Sequence, residues 1–338
     1  MFGRSLQLGY YRRLIQQDWY AMSQALLNQL SHEHYVSGQH LAQVFACTRS
    51  AIAKQIDQLR RRGVLISAKP SHGYKFDHNY QWWSQGQLQD LLAQYPNYGV
   101  NVLEEIDSSN QWLLKHAERK LGGGELVVTD FQLAGRGRRG RSWLSLPGRQ
   151  MTWSQSWFAD SAPQAWLGLT LAVGVEVAEA LEAYGLNVSL KWPNDILLNG
   201  AKLAGILVEM EAQHDGPSFV VVGVGVNERL TEAERVTLDQ PASDLSLLAG
   251  YDRHRLLADI SGRIITLFNT YPVLGLSAWR DRWLQRFAWQ GQEVKFEMNT
   301  EWLYGEVAGL GLDGSLLIQT SAGLISCHSG DVTLRLVK

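Results

Sequence analysis

An arginine–glycine loop set between two strand-like stretches limits what this chain can fold into. It reads Phe131-Gln-Leu-Ala-Gly-Arg-Gly-Arg-Arg-Gly-Arg-Ser-Trp143, with Arg136, Arg138, Arg139 and Arg141 spaced by Gly135, Gly137 and Gly140. Arginine presents a fixed fork of donors suited to carboxylate and phosphate oxygens. Glycine lets the backbone come close to a ligand. The three glycines also satisfy G-x-G-x-x-G, the dinucleotide fingerprint, which needs a strand before it and a helix after it. Glu125-Leu-Val-Val-Thr-Asp-Phe131 has strand composition, but Trp143-Leu-Ser-Leu-Pro147-Gly148 is turn-like and Met151 to Phe158 alternates as a second strand. A loop joining two strands is not a Rossmann site. The plainer reading is a solvated run of charge; the glycine spacing favours a loop that closes on an anion.

Charge is unevenly placed. Residues 1–80 carry ten Lys/Arg against four Asp/Glu, a net of +6, which leaves −8 for the rest of a chain totalling −2. A basic module implies an anionic partner. Cys47 and Cys327 are far apart with no C-x-x-C, so neither a disulfide framework nor a zinc site follows. The N-terminus lacks an apolar h-region and no apolar run reads as long enough to span a membrane, so a reduced cytoplasmic protein is expected. Most of the thirteen tryptophans read as packing.

At 338 residues the chain reads as two or three domains. Residues 1–20 suggest only a basic extension. Beyond them Leu26, Leu27 and Leu30 form one helical stripe, and Leu41, Val44 and Phe45 a second. Thr48 is a good N-cap for a third helix, whose apolar face is Ile52, Ile56 and Leu59. The short joint at 46–48 suits a helix-turn-helix, and Val64 to Ala68, a turn from Lys69 to Gly73, and Tyr74 to Phe76 give a two-stranded wing. A basic winged helix most often binds DNA, and Thr48, Arg49, Ser50, Lys54, Gln55, Gln58, Arg60 and Lys69 are its candidate contacts. A docking or spacing module is the alternative.

Residues 81–99 read as a polar linker with one short helix. A central domain is expected over 100–287, with helices at 109–120, 165–184 and within 254–287. Its strands should lie at 188–191, 196–198, 202–209 and 219–227, with Asn199-Gly200 as a type I′ hairpin turn. Hairpins mixed with helices argue for an α+β fold with a mixed sheet. Five short strands over 288–338 suggest an SH3-like barrel.

The sequence resembles the family of bifunctional biotin protein ligases that also repress the biotin operon. The resemblance covers nearly the whole chain, from the winged helix to the terminal barrel, and five motifs in order carry it: Asp107-Ser-Ser-Asn110, Gln132 with the arginine loop, Lys191-Trp-Pro-Asn-Asp195, Lys202-Leu-Ala-Gly-Ile-Leu-Val-Glu209, and Gly223-Val-Gly-Val-Asn227. Any of them alone has a plain alternative: a capped turn at 191–195, close packing at Gly223 and Gly225, helix capping by Ser108 and Ser109.

The resemblance implies activation of biotin with ATP to biotinyl-5′-AMP, then transfer to a lysine of the biotin carboxyl carrier protein. It also implies operator binding as an adenylate-bound homodimer. By resemblance, Arg136 and Lys202 hold the biotin carboxylate, Lys191 meets phosphate charge, and Arg138 closes over the adenylate. Ser108, Ser109, Asn110, Gln132, Gly137, Gly205 and Gly223 complete the biotin site. Arg139, Arg141, Trp143, Asn194, Asp195 and Asn227 face the nucleotide, with Asn194 or Asp195 beside a magnesium ion carried by ATP. Two departures stand out: Ser109 replaces the family's usual threonine, and residues 228–248, the expected adenylate-covering loop, contain no tryptophan. The rival readings are a ligase whose winged helix no longer represses, a DNA-binding sensor without catalysis, and a lipoate-type ligase, whose Arg-Arg-x-x-Gly-Gly-Gly stretch is absent.

Overall fold

A computed structural model describes residues 25–212, 216–298, 301–328 and 333–337. The expected extension at 1–20 and the start of the last strand at Val332 lie outside the described residues. The chain divides into two compact units, one running to Trp82 and including Leu146–Gly148, the other made of 83–145 and 149–338.

The first unit is a winged helix. It comprises α1 (helical over residues 25–29), α2 (Gly38–Val44), α3 (Arg49–Arg61), β1 (Ile66–Lys69) and β2 (Gly73–Phe76). Ser37 and Thr48 cap α2 and α3, accepting from the backbone N–H groups of His40 and Ala51. Leu26, Leu27, Leu41, Ile52, Ile56 and Leu59 are buried, as the helical spacing predicts. The wing is an antiparallel pair in which Ile66 faces Phe76. Two assignments change. Val44, placed on the apolar stripe, is 48% exposed. Gln55, placed among the DNA contacts, is buried on the same side as Ile56, because a helix of 3.6 residues per turn puts it closer to the core than to Lys54's face.

The short helix expected within 81–99 forms, but the stretch packs into the second unit. Helix α4 (Gln85–Leu91) buries Leu88, and Trp83 and Leu92 join it in the main core of the second unit. The following strand β3 (Tyr98–Ile106), which the sequence reading missed, forms one edge of the large sheet.

That sheet has seven strands in the order β3-β4-β5-β9-β8-β7-β6, with β4 (Gly124–Gln132), β5 (Gln150–Ala159), β6 (Val188–Lys191), β7 (Asp195–Leu198), β8 (Ala201–Ala212) and β9 (Ser218–Asn227). Only β3 and β4 run parallel. The arginine loop therefore joins two antiparallel neighbours, which excludes the dinucleotide fold on topology. Strand alternation loads both faces. Val127, Phe219 and Val221 pack with Leu113 of α5 (Ser109–His116) on one side. Leu126, Val128, Val220 and Val222 pack in the main core, which also takes in α6 (Leu169–Ala183), α8 (Arg253–Leu274) and α9 (Ser277–Leu284).

The helix expected at 165–184 starts later. A 3-10 turn at Pro163–Trp166 precedes it, and Gly168, at φ +79°, breaks the two apart. Together they form a stretch of 21 residues long and apolar enough to cross a membrane, contrary to the sequence reading, but most of it is buried inside the unit. The tail forms a five-stranded antiparallel sheet, β13-β12-β11-β10-β14, from β10 (Glu293–Met298), β11 (Glu301–Leu310), β12 (Leu316–Thr320), β13 (Gly323–Cys327) and β14 (Thr333–Leu336). Its core residues Val294, Phe296, Val307 and Ile318 are continuous with the main core. The Trp192 indole N–H donates to the Gly314 carbonyl at 3.0 Å, fastening the tail to the turn after β6. The α+β architecture is as expected.

Candidate active site

A cleft of about 1140 Å³ opens at one end of the seven-stranded sheet. Its walls come from the start of α5, the end of β4, the arginine loop, the start of β5, the β6–β7 turn, β8, β9, residues 238–242 and the C-terminal region.

The inner end is neutral and polar. Ser109 donates to Gln132 Oε1 through its backbone N–H (2.9 Å) and its hydroxyl (3.1 Å). Ser154 Oγ reaches Ser109 Oγ at 2.7 Å and donates to Asn110 Oδ1 at 2.5 Å. Asn110 Nδ2 donates to the Leu207 carbonyl and to Glu209. Ser108 is the first cap residue of α5 yet makes no side-chain cap bond; it lines the cleft, so capping does not account for it. Gly223 is glycine for a visible reason: a Cβ there would stand 2.3 Å from Asn110 Oδ1.

The outer part is cationic. Arg136, Arg138, Arg141, Lys191 and Lys202 all line it. Lys202 Nζ is 2.6 Å from Asp195, and Lys191 Nζ is 3.8 Å from the same carboxylate. Lys191 also donates to Gln240 Oε1 at 3.3 Å and stands over the Trp289 ring. Burial lowers the basicity of Lys191, with Asp195 opposing the shift. Arg138 is lowered likewise, by burial and then by Arg139 and Arg141. Crowding cations into a half-dry cleft is unfavourable until an anion joins them.

Trp143 also lines the cleft. Its indole lies against Gly225, where a Cβ would meet the ring at 2.4 Å, and near Gly205 at 3.1 Å. Lys202 Nζ sits 5.5 Å from the centroid of the same ring.

The candidate ligand residues thus converge on one cleft, with two exceptions. Arg139 does not line it, and Asp195 serves it through Lys202 and Lys191. Asn194 and Asn227 line it while also bonding within the protein. Asn194 Nδ2 donates to the Ile206 carbonyl, and Asn227 donates to the Lys202 and Ser243 carbonyls. The stretch 228–248 is not a bare loop. It contains α7 (Glu232–Thr237), closed by a Thr231/Glu234 capping box, and Glu234 takes both ends of the buried Arg149 guanidinium. Backbone bonds from Lys202 N to Pro241 O and from Ser243 N to Lys202 O hold 241–243 against β8.

Residues 102–227 match the Biotin/lipoate A/B protein ligase family, 23–75 an HTH domain and 291–335 the Biotin protein ligase C terminal domain. The chain is 31% identical over 312 residues to the bifunctional ligase/repressor BirA of Escherichia coli (strain K12), covering 92% of this chain and 96% of that one. The chain belongs to the biotin protein ligase family. BirA of Bacillus subtilis (strain 168) is 29% identical over 91% of this chain and 96% of its own length. A biotin protein ligase from Aquifex aeolicus, solved in complex with biotin and ATP, superposes with a TM-score of 0.58 at 29% identity, over 71% of this chain and all but 1% of that one.

Several residues of this ligase site escaped the sequence reading. Ser154 lies on β5, where even the polar alternate positions Thr152, Ser154 and Ser156 are buried. A strand polar at every second position normally shows water that face, so the signal pointed away from the site. Glu209 has no signal of its own beyond the motif that it ends. Trp289 and Arg335 come from the C-terminal region, which no cleft motif touches.

Proposed function

We propose that this ligase couples biotin to ATP to give biotinyl-5′-AMP and pyrophosphate, and then passes biotin to one lysine of a biotin carboxyl carrier protein. The observation that carries the reading is the division of one cleft into a neutral hydrogen-bonding end and a cationic end. Biotin has the same division. Its ureido ring is neutral and needs fixed donors and acceptors, which Ser108, Ser109, Asn110, Gln132 and the Gly205 and Gly223 backbone supply. Its carboxylate must attack the α-phosphate, so two anions approach each other. Arg136 and Lys202 offset that repulsion, and Lys191 meets charge that grows on the phosphorus oxygens. Arg138 and Arg141, with Arg139 beside them, close the glycine-rich loop over the mixed anhydride and keep water from it.

Magnesium would enter with ATP, where it neutralises phosphate charge. No group of three or more His, Cys, Asp or Glu able to hold a metal occurs among the described residues. Asp195 and Asn194 could serve an ion that keeps most of its contacts with phosphate and water.

The winged helix presents Thr48 at the cap of α3, Arg49, Ser50, Lys54, Gln58 and Arg60 on the helix, and Lys69 on the wing to operator DNA; Arg60 Nε also donates to the Ile66 carbonyl at 2.8 Å. A homodimer would offer one recognition helix to each half-site, and biotinyl-AMP would favour it by ordering the arginine loop. The cytoplasm suits a chain whose two cysteines, Cys47 and Cys327, show no C-x-x-C spacing. Biotin-dependent release of pyrophosphate from ATP tests the ligase reading. Biotin binding without pyrophosphate release would instead favour a sensor that has lost catalysis.

A further inference from the structure

Building on biotin as the substrate, we infer that Glu209 is a specificity-determining residue: its carboxylate holds Arg136 until the substrate's own carboxylate takes that arginine over. Glu209 Oε1 lies 3.2 Å from Arg136 Nη1, and Oε2 accepts from Asn110 Nδ2 at 2.9 Å. One carboxylate on β8 therefore touches both a loop cation and the polar network at the inner end of the cleft.

The two basic groups proposed to bind the substrate anion both carry an acidic partner from the protein, but the pairs differ. Lys202 and Asp195 are 18% and 12% exposed, while Arg136 and Glu209 are 44% and 23% exposed. The more exposed pair is the weaker and the easier to exchange. Glu209 does not need Arg136 to stay in place, because Asn110 anchors its other oxygen. A carboxylate only accepts, so it also fixes which end of the Asn110 amide faces it: Nδ2 turns to Glu209 and Oδ1 to Ser154. The residue thus orients a group at the neutral end and competes for a group at the charged end.

The competition gives a test. An anionic substrate must displace Glu209 from Arg136, whereas a neutral analogue with the same rings and chain need not. Glu209→Gln keeps size and an acceptor for Asn110 but removes the charge. Calorimetric affinities of the full chain for biotin and for biotinol, whose carboxylate is replaced by a CH₂OH group, should be measured in both proteins. Any loss of Asn110 support weakens both ligands alike and cancels in their ratio. The preference for biotin over biotinol should rise about fivefold in Glu209→Gln, the scale of one partly exposed ion pair. If both ligands bind and the preference is unchanged or smaller, the Glu209 inference is overturned while the ligase reading stands. If wild type binds no biotin, both fall.

Discussion

The Lys202 ammonium lies 2.6 Å from the Asp195 carboxylate across the hairpin formed by β7 and β8. Asn199 and Gly200, at φ +53° and +75°, make the tight turn that sets this hairpin. Two neighbouring motifs, the Trp-Pro-Asn-Asp turn and the Lys-Leu-Ala-Gly strand, are thereby one device: the first holds the cation of the second. Asp195→Asn keeps the shape and removes the charge. A hydrogen bond to a charged group is worth about 1.5–3 kcal/mol, so adenylation should slow by roughly ten- to a hundredfold. Pyrophosphate release at saturating biotin and ATP reads it, and an unchanged rate would show that Lys202 needs no support.

Lys202→Ala and Arg136→Ala remove the counter-charge itself. Each should cost on the order of a hundredfold in adenylate formation. Wild-type rates in both would sink the assignment of the cationic end.

Arg138→Gly should leave adenylate synthesis working and let the product escape, because Arg138 lies on the glycine-rich loop at the cleft mouth. Biotin would then appear on lysines of bystander proteins at high concentration. Modification confined to the carrier would remove Arg138 from the role of latch.

The fold was legible where periodicity and turn chemistry agreed. Leu26, Leu41, Ile52 and Ile56 announced the winged helix, and Asn199-Gly200 announced a hairpin. It was illegible where composition masked burial. The glutamines around Leu88 hid that the short helix of the expected linker is part of the core, and β3 follows it without a signal of its own. The site was legible through charged and glycine residues, whose chemistry is local. Ser154 and Trp289 act only because the fold brings β5 and the C-terminal region to the cleft, and nothing nearby in sequence marks them.

Arg253 is 2% exposed and bonds Asp130, Glu228 and the Gln150 carbonyl at 2.7–2.8 Å, with Trp83 stacked on its guanidinium. Arg253→Ala would leave two buried carboxylates facing each other. Breaking such a network costs about 3–5 kcal/mol, so the unfolding temperature of the second unit should fall by several degrees or more. An unchanged melting curve would contradict the described packing.

The Glu179 carboxyl is held below its ordinary value of 4.5, chiefly by its hydrogen bond from Arg282, with burial opposing and Arg286 and Arg263 adding to the effect. A lowered acid stabilises the fold above its unfolded value and loses that contribution as pH falls through the lowered one. The stability difference between wild type and Glu179→Gln should therefore be full near neutrality and shrink below pH 4.5. Urea titrations across that range check it; a difference independent of pH would remove the ion pair from the account.

On α3, Arg49→Ala and Lys54→Ala should weaken operator binding uniformly across sequences and lower the log–log salt slope by about one each. Gln55→Ala, at a buried position, should act on stability instead. Equal operator affinity with and without biotin plus ATP would rule out adenylate control.

The central claim is that one cleft both makes the adenylate and spends it on a carrier lysine. Purified chain, ATP, magnesium and biotin should be mixed with a biotin carboxyl carrier domain, and the carrier's intact mass followed with time. A mass gain of one biotin on one lysine is expected, dependent on ATP and slowed on the order of a hundredfold in Lys202→Ala. A carrier left unmodified while biotin and ATP both bind would contradict it.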